Sequence, residues 1–251
     1  MKAWQRQIRE ARESEPTPDL FGRWWESLDM DISRASIRPI STLTAEKIIL
    51  EYEWLACMPA IVWHCYGIFF DGCLGGAVVY GVEYAENLGV WTKFGFDGKI
   101  INLARGACTH WAHPHAGSKL IRGSMKLLPD KYEVVTATVD RAAGEVGTIY
   151  QACGFHYVGA MRENPPNAKG TAWRNSWRVN GKLIGSRTMR RLVGSTRIED
   201  ILKMYPSAEV IPQHSKERYF AFRGKKQIQK QHHASIQHLI KPYPKRIQES
   251  E

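Results

Sequence analysis

Apolar and polar positions change period several times along this chain, and each change marks an element. From Thr44 the apolar residues Ile48, Ile49, Tyr52 and Leu55 recur at helical spacing, and Pro59 closes the segment. Ile61 to Phe70 and Cys73 to Tyr80 are rich in aromatic and aliphatic residues. Asp71-Gly72 between them predicts a two-residue hairpin turn. Lys99 to Ala104 predicts a further strand, and Arg105 to Ala116 reads as a loop. Gly117 to Leu128 predicts a helix with Leu120, Ile121, Ser124, Leu127 and Leu128 on one face and Lys119, Arg122 and Lys126 on the other. Val134 to Val139 predicts a strand ending at Asp140. A glycine-rich turn then leads to a short helix carrying Tyr150, and after Gly154 a strand starts at Phe155. Trp173 to Val179 and Lys182 to Ile184 flank Asn180-Gly181, a second hairpin signal. A helix around Ile198 to Met204 precedes strands at Glu209 to Ile211 and Arg218 to Phe222.

This order describes an α/β domain around one mixed sheet. Residues 1–40 are polar and read as an N-terminal arm whose Trp24 and Trp25 dock on the core. Residues 41–163 read as the core, and 164–251 as a basic extension packed on it, ending in a Gln- and His-rich tail.

Composition narrows the class. Forty-three per cent hydrophobic residues and nine Trp predict a folded chain. Apolar runs such as Met58 to Val62 fall far short of the roughly 20 residues that span a bilayer. The MKAWQRQIREARE start has no apolar signal core, so a cytosolic location and no membrane partner are expected. Five cysteines, odd in number and without a CxxC pair, read as reduced thiols.

Charge is uneven. Up to Glu163 there are 17 basic and 19 acidic residues, net −2; from Asn164 there are 18 and 6, net +12. Asn164 to Ile198 and Arg218 to Arg246 contain no acid at all, which points to a polyanion, with nucleic acid the leading candidate. Arg174, Arg178, Lys182, Arg187, Arg190 and Arg191, interleaved with Trp173 and Trp177, suit phosphate contact and base stacking, and Lys225 and Lys226 add to them. A solvated hairpin with a Trp on its core face accounts for the same pattern.

Chemistry-bearing residues are scattered. Asp140 at a strand tip suits proton acceptance or hydrogen bonding, and equally a turn or N-cap. Tyr150 suits proton donation, and equally packing beside Phe155. His64 and Tyr66 share one face of a strand by alternation. Arg105 suits an anionic group, and Ser118 a helix cap or a substrate contact. His110, His113 and His115 surround a proline in a loop, which favours a solvated segment over a zinc site.

The element order is similar to the GNAT acyltransferase fold, a mixed, mostly antiparallel sheet flanked by helices. IYQACGFHYVG looks like that superfamily's final helix and strand, in which the Tyr commonly protonates the leaving thiolate of coenzyme A. The HPHAGSKLI loop lacks the usual Arg/Gln-x-x-Gly-x-Gly/Ala pattern, which counts against acyl-CoA. Taken together, WHCYGIFFDG, the strand into Arg105-Gly106, AGSKLI, VD…GTIYQACGFHYVG, SKERYFAFRG and PYPKR resemble the Mom family of phage DNA-modification proteins, from about residue 60 to 246. That resemblance implies conversion of adenine in DNA to N6-carbamoylmethyladenine, protecting phage DNA from restriction inside a bacterial host. Double-stranded DNA and a small-molecule group donor of unidentified chemistry are the implied partners. The family's important positions fall on His64, Arg105, Ser118, Asp140 and Tyr150, with Tyr66 added. The resemblance also brings iron, with His64, Asp140 and Tyr150 as candidate ligands. An acetyl-CoA-dependent N-acetyltransferase and a non-catalytic DNA-binding protein on the same scaffold remain alternatives.

Overall fold

The structure, a computed structural model, describes residues 4–14, 24–83, 91–140, 145–160, 175–195, 197–212 and 216–245. The strands are β1 (Ser36–Pro39), β2 (Val62–Phe70), β3 (Cys73–Gly81), β4 (Ile100–Cys108), β5 (Val134–Val139), β6 (His156–Ala160), β7 (Asn175–Val179), β8 (Lys182–Ile184), β9 (Glu209–Pro212) and β10 (Glu217–Phe222). The helices are α1 (Trp4–Ser14), α2 (Thr42–Tyr52), α3 (Ala116–Leu127), α4 (Thr148–Ala152), α5 (Ser186–Val193), α6 (Ile198–Met204) and α7 (Lys226–Ile236).

A seven-stranded sheet runs β1-β2-β3-β4-β5-β10-β6, antiparallel except for the β4–β5 pair. This is the mixed, mostly antiparallel sheet that the element order predicts. The apolar density of β2 and β3 follows from their place inside the sheet, where helices cover both faces. Asp71 and Gly72 adopt φ +47° and +81°, the left-handed turn that joins them. One face packs on α3 through Tyr66, Ile68, Tyr80, Leu103, Val135, Leu120 and Ile121. The other packs on α2 through Ile48, Ile49, Cys65 and Val79, and further along on Trp91, Phe96 and Ile236. Ser41 caps α2, its hydroxyl accepting the Thr44 N–H at 3.1 Å.

Four expectations change. β4 continues to Cys108, so Arg105 lies in a strand and not in a loop. Leu127 is exposed, and the helix ends before the buried Leu128. The core does not stop at residue 163: β10 sits between β5 and β6, and α7 covers one face of the sheet. The expected tail is therefore partly structural, because the edges of β5 and β6 would otherwise lack a partner. Between them, β7, β8 and β9 form a small second sheet with α5 and α6 around Trp177, Met189 and Ile201. Trp177 is fully buried, as the core-face alternative has it.

The feature that positions the site is a divergence of strands. β4 and β5 pair only from Ile100–Val134 to Leu103–Ala137. β5 stays paired with β10 as far as Val139–Glu217, while β4 follows β3 past an irregularity between Val79 and Tyr80. A gap opens between the C-terminal halves of β4 and β5.

Candidate active site

Polar groups from five segments converge at this gap. Asp140 follows the last residue of β5; its side chain is 5% exposed, and Lys216, leading into β10, places Nζ 3.9 Å from Oδ2. Glu53 caps the C-terminus of α2, and its Oε2 accepts the Leu55 N–H at 2.9 Å. Arg105 approaches that carboxylate at 3.9 Å. Its guanidinium also donates to the carbonyls of Ala104 at 2.7 Å and Cys57 at 2.9 Å. The loop after α2 thus wraps around Arg105, with Ala56 at φ +42°, a region a residue with a Cβ rarely occupies.

Burial raises the Glu53 carboxyl above its usual range, opposed by the Arg105 cation, the Leu55 N–H and the Lys216 ammonium. Tyr150 reaches the cluster from α4. Burial pushes its phenol up, the Glu145 and Glu53 carboxylates add to that, and Arg105 opposes it.

Local rules hold α4 in place. Gly147, its N-cap, sits at φ +70°, and a Cβ there would lie 2.5 Å from the Tyr219 ring. The Tyr219 hydroxyl donates to Val146 O at 2.7 Å. The Tyr150 ring then packs between Phe155 and Tyr219, with centroids 5.4 and 5.5 Å away. Beside it lies a cavity of about 450 Å³ lined by Leu103, Gly106 and Cys108 of β4, Leu120 and Ile121 of α3, Ile149 and Tyr150 of α4, and Gln5, Arg6 and Arg9 of α1. The packing role that the sequence allowed for Tyr150 and its place on the cavity wall are both realised.

Other candidates lie elsewhere. The His64 ring packs 5.8 Å from Tyr132 and 6.5 Å from Tyr66, in a surface groove with Trp63, Gly98, Ile100 and Lys131. Burial lowers its basicity, as does the Lys131 cation. His64 pairs with Tyr80 of β3, which pairs with Leu103 of β4, so two strands stand between it and β5. Tyr66 is buried under α3, its hydroxyl donating to Leu127 O at 3.1 Å. His64 and Tyr66 do share a face, but not with Asp140. Ser118 is in the first turn of α3, its hydroxyl donating to His115 O at 3.0 Å.

As an iron set, His64, Asp140 and Tyr150 do not fit, since β3 and β4 lie between His64 on β2 and Asp140 at the end of β5, roughly 14 Å across the sheet. Among the described residues no three His, Cys, Asp or Glu side chains group as a metal site. His110 is occupied by the Tyr52 hydroxyl at 3.2 Å and by the Trp25 ring, and His113 Nδ1 accepts the His115 N–H at 3.1 Å. Trp24 packs on Trp111, which docks the arm as expected.

The basic candidates divide. Arg190 and Arg191 are exposed on α5, whose first turn also holds Arg187. Exposed Arg178 pairs with Glu209 at 2.9 Å, and Lys182 starts β8. Lys225 and Lys226 are exposed where α7 begins, at the end of β10 remote from Asp140. Trp173 and Arg174 lie outside the described residues.

Glu53 and Lys216 escaped the sequence. Glu53 closes a helical pattern and Lys216 precedes a strand, and no spacing rule joins them to Asp140. The acid at the end of an apolar helix pattern was the available signal for Glu53.

No described helix is long and apolar enough to cross a membrane. Among solved structures, the chain is similar to a GNAT family acetyltransferase from Elizabethkingia anophelis with acetyl-CoA bound (12% identity, 75% of this chain and 98% of that one, TM-score 0.39). It is also similar to an IAA acetyltransferase from Bacillus cereus (11%, 75% and 99%, TM-score 0.39). An N-acetyltransferase from Staphylococcus aureus Mu50 gives 10%, 75% and 98%, with TM-score 0.41. No curated protein matches. The Mom protein family profile matches residues 34–245, spanning the sheet, the gap and the basic module, and the chain belongs to that family.

Proposed function

We propose that this protein is a DNA-modifying transferase that converts adenine to N6-carbamoylmethyladenine, with its chemistry in the gap between β4 and β5. Family membership supports DNA modification. The observation that carries the site assignment is the placement of the Asp140–Lys216 and Glu53–Arg105 pairs where those strands part, with Tyr150 on the wall of the adjoining cavity.

The N6 amine is engaged in base pairing, so the target adenine leaves the stack before it reaches the gap. Asp140 accepts a hydrogen bond from the amine and orients it. Glu53, whose carboxyl is raised by burial, takes the proton that N6 loses as its bond to the donor carbon forms. Arg105 positions Glu53 and is itself fixed by Cys57 and Ala104. The Tyr150 phenol stays protonated at neutral pH and donates to the leaving group. Lys216, 3.9 Å from Asp140, offsets the charge of that carboxylate. Ser118 O accepts the Cys153 thiol at 3.5 Å, which ties α3 to the end of α4. The exposed arginines of α5 contact phosphates, a sequence-independent attraction that brings duplex DNA to the site. Modified adenine in phage DNA would then resist host restriction.

The test is mass spectrometry of nucleosides from the DNA of cells expressing the protein. A carbamoylmethylated deoxyadenosine is expected, and unmodified adenine in a well-expressing culture overturns the proposal. Acetylated protein or small amines in its place would favour the acetyltransferase.

A further inference from the structure

Two backbone groups, one on the cavity wall and one at the end of α2, are left over by secondary structure. Thr109 N donates to Gly75 O at 3.0 Å, so the Cys108 N–H, one residue earlier, faces the edge of β4 that β5 has left. Tyr52 ends α2, and its carbonyl is among those a helix terminus leaves without an intrahelical partner. One side chain satisfies both. The Cys108 N–H donates to Gln5 Oε1 at 3.1 Å, and Gln5 Nε2 donates to Tyr52 O. The two protein groups therefore read the oxygen and the NH₂ of a single carboxamide. Helix α1, which carries Gln5, has no buried residue; Ile8 packs on the α2 core, Arg9 donates to Ala112 O at 2.7 Å and Arg12 reaches Glu51 at 3.4 Å.

We propose that the Cys108 N–H and Tyr52 C=O form a binding site for a primary carboxamide, with Gln5 as its internal, displaceable occupant. A carboxylate is rejected there. It has no N–H for the Tyr52 carbonyl and brings a negative oxygen against it, leaving a polar group unpaired. Gln5 and Cys108 also line the cavity that contains Tyr150, which gives a ligand room between the carboxamide site and that phenol. The role in the reaction rests on the proposed function: with α1 withdrawn, the site holds the carboxamide end of the group to be transferred and sets amide over acid.

The experiment follows the Cys108 amide by nuclear magnetic resonance in full-length Gln5→Ala during titration with acetamide or acetate. Acetamide should move the signal saturably in Gln5→Ala and at least about fivefold more weakly in the wild type, where Gln5 competes. Acetate should leave it in place. An equal response to both ligands, no response to acetamide, or identical titrations of wild type and variant overturns the site. Gln5→Glu tests the same idea within the chain: the carboxylate cannot donate to Tyr52 O, so proteolysis of α1 should accelerate. Unchanged protection speaks against the site. Failure to find modified adenine would remove the proposed reaction and leave these titrations as they stand.

Discussion

Replacing Arg105 with Met keeps the aliphatic stem and removes the cation beside Glu53. The two groups are 3.9 Å apart, with side chains 20% and 11% exposed. At an effective dielectric near 20 their attraction is roughly 4 kcal/mol. Desolvation offsets part of it, so about 1–3 kcal/mol of stability should depend on Glu53 being ionised next to Arg105. The hydrogen bonds to Ala104 O and Cys57 O are lost at every pH, at about 1 kcal/mol each. Burial already raises the Glu53 carboxyl in the folded state, and loss of Arg105 raises it further. Below the unfolded pKa both states hold the proton, and only the hydrogen bonds are missing. As pH rises through the unfolded and then the raised folded value, the unfolded chain releases its proton first and the variant loses stability. Urea unfolding should show a deficit of about 2 kcal/mol near pH 4 and about 3–5 kcal/mol near pH 8. Glu53→Gln in the same background should erase that difference. An equal deficit at both pH values refutes the coupling between Arg105 and Glu53.

Other perturbations probe neighbouring parts. Gly147→Ala places a Cβ at φ +70° and 2.5 Å from Tyr219, so equilibrium unfolding should show a loss of about 1–3 kcal/mol, and wild-type stability would discount the constraint on α4. Changing Arg190 and Arg191 to Gln should weaken DNA binding regardless of sequence and lower the salt dependence by about one unit of log–log slope per lost contact, measured by fluorescence anisotropy. An unchanged slope would place the DNA elsewhere. Tyr66→Phe removes a hydrogen bond to Leu127 O and should cost about 1 kcal/mol while leaving the modification yield within about twofold. A collapse in yield with an intact fold would bring Tyr66 back to the site.

The legible parts of the fold were those governed by local rules. Asp71-Gly72 and Asn180-Gly181 announce hairpins because both residues must take positive φ. The strand–helix–strand around Tyr150 is marked by its switch of period and by Gly154. By contrast, β1 is four residues long with three of them exposed, and α7 buries only His232 and Ile236, so neither leaves a strong pattern. The site was half legible. Asp140, Arg105 and Tyr150 were singled out, yet their meeting depends on β4 parting from β5, a property of long-range pairing. Alternation put His64 and Tyr66 on one face correctly. It carries no information on how far across the sheet that face lies from the other candidates, and β3 and β4 stand between these two residues and Asp140.

The central claim is that the cluster in the gap between β4 and β5 performs chemistry on DNA adenine. Its most direct test is to quantify modified deoxyadenosine in DNA from cells expressing wild type or Asp140→Ala, alongside the salt-dependent DNA affinity of each purified protein. Product in the wild type, none in the variant and equal affinities are predicted. Undiminished product from a folded Asp140→Ala protein would contradict the account.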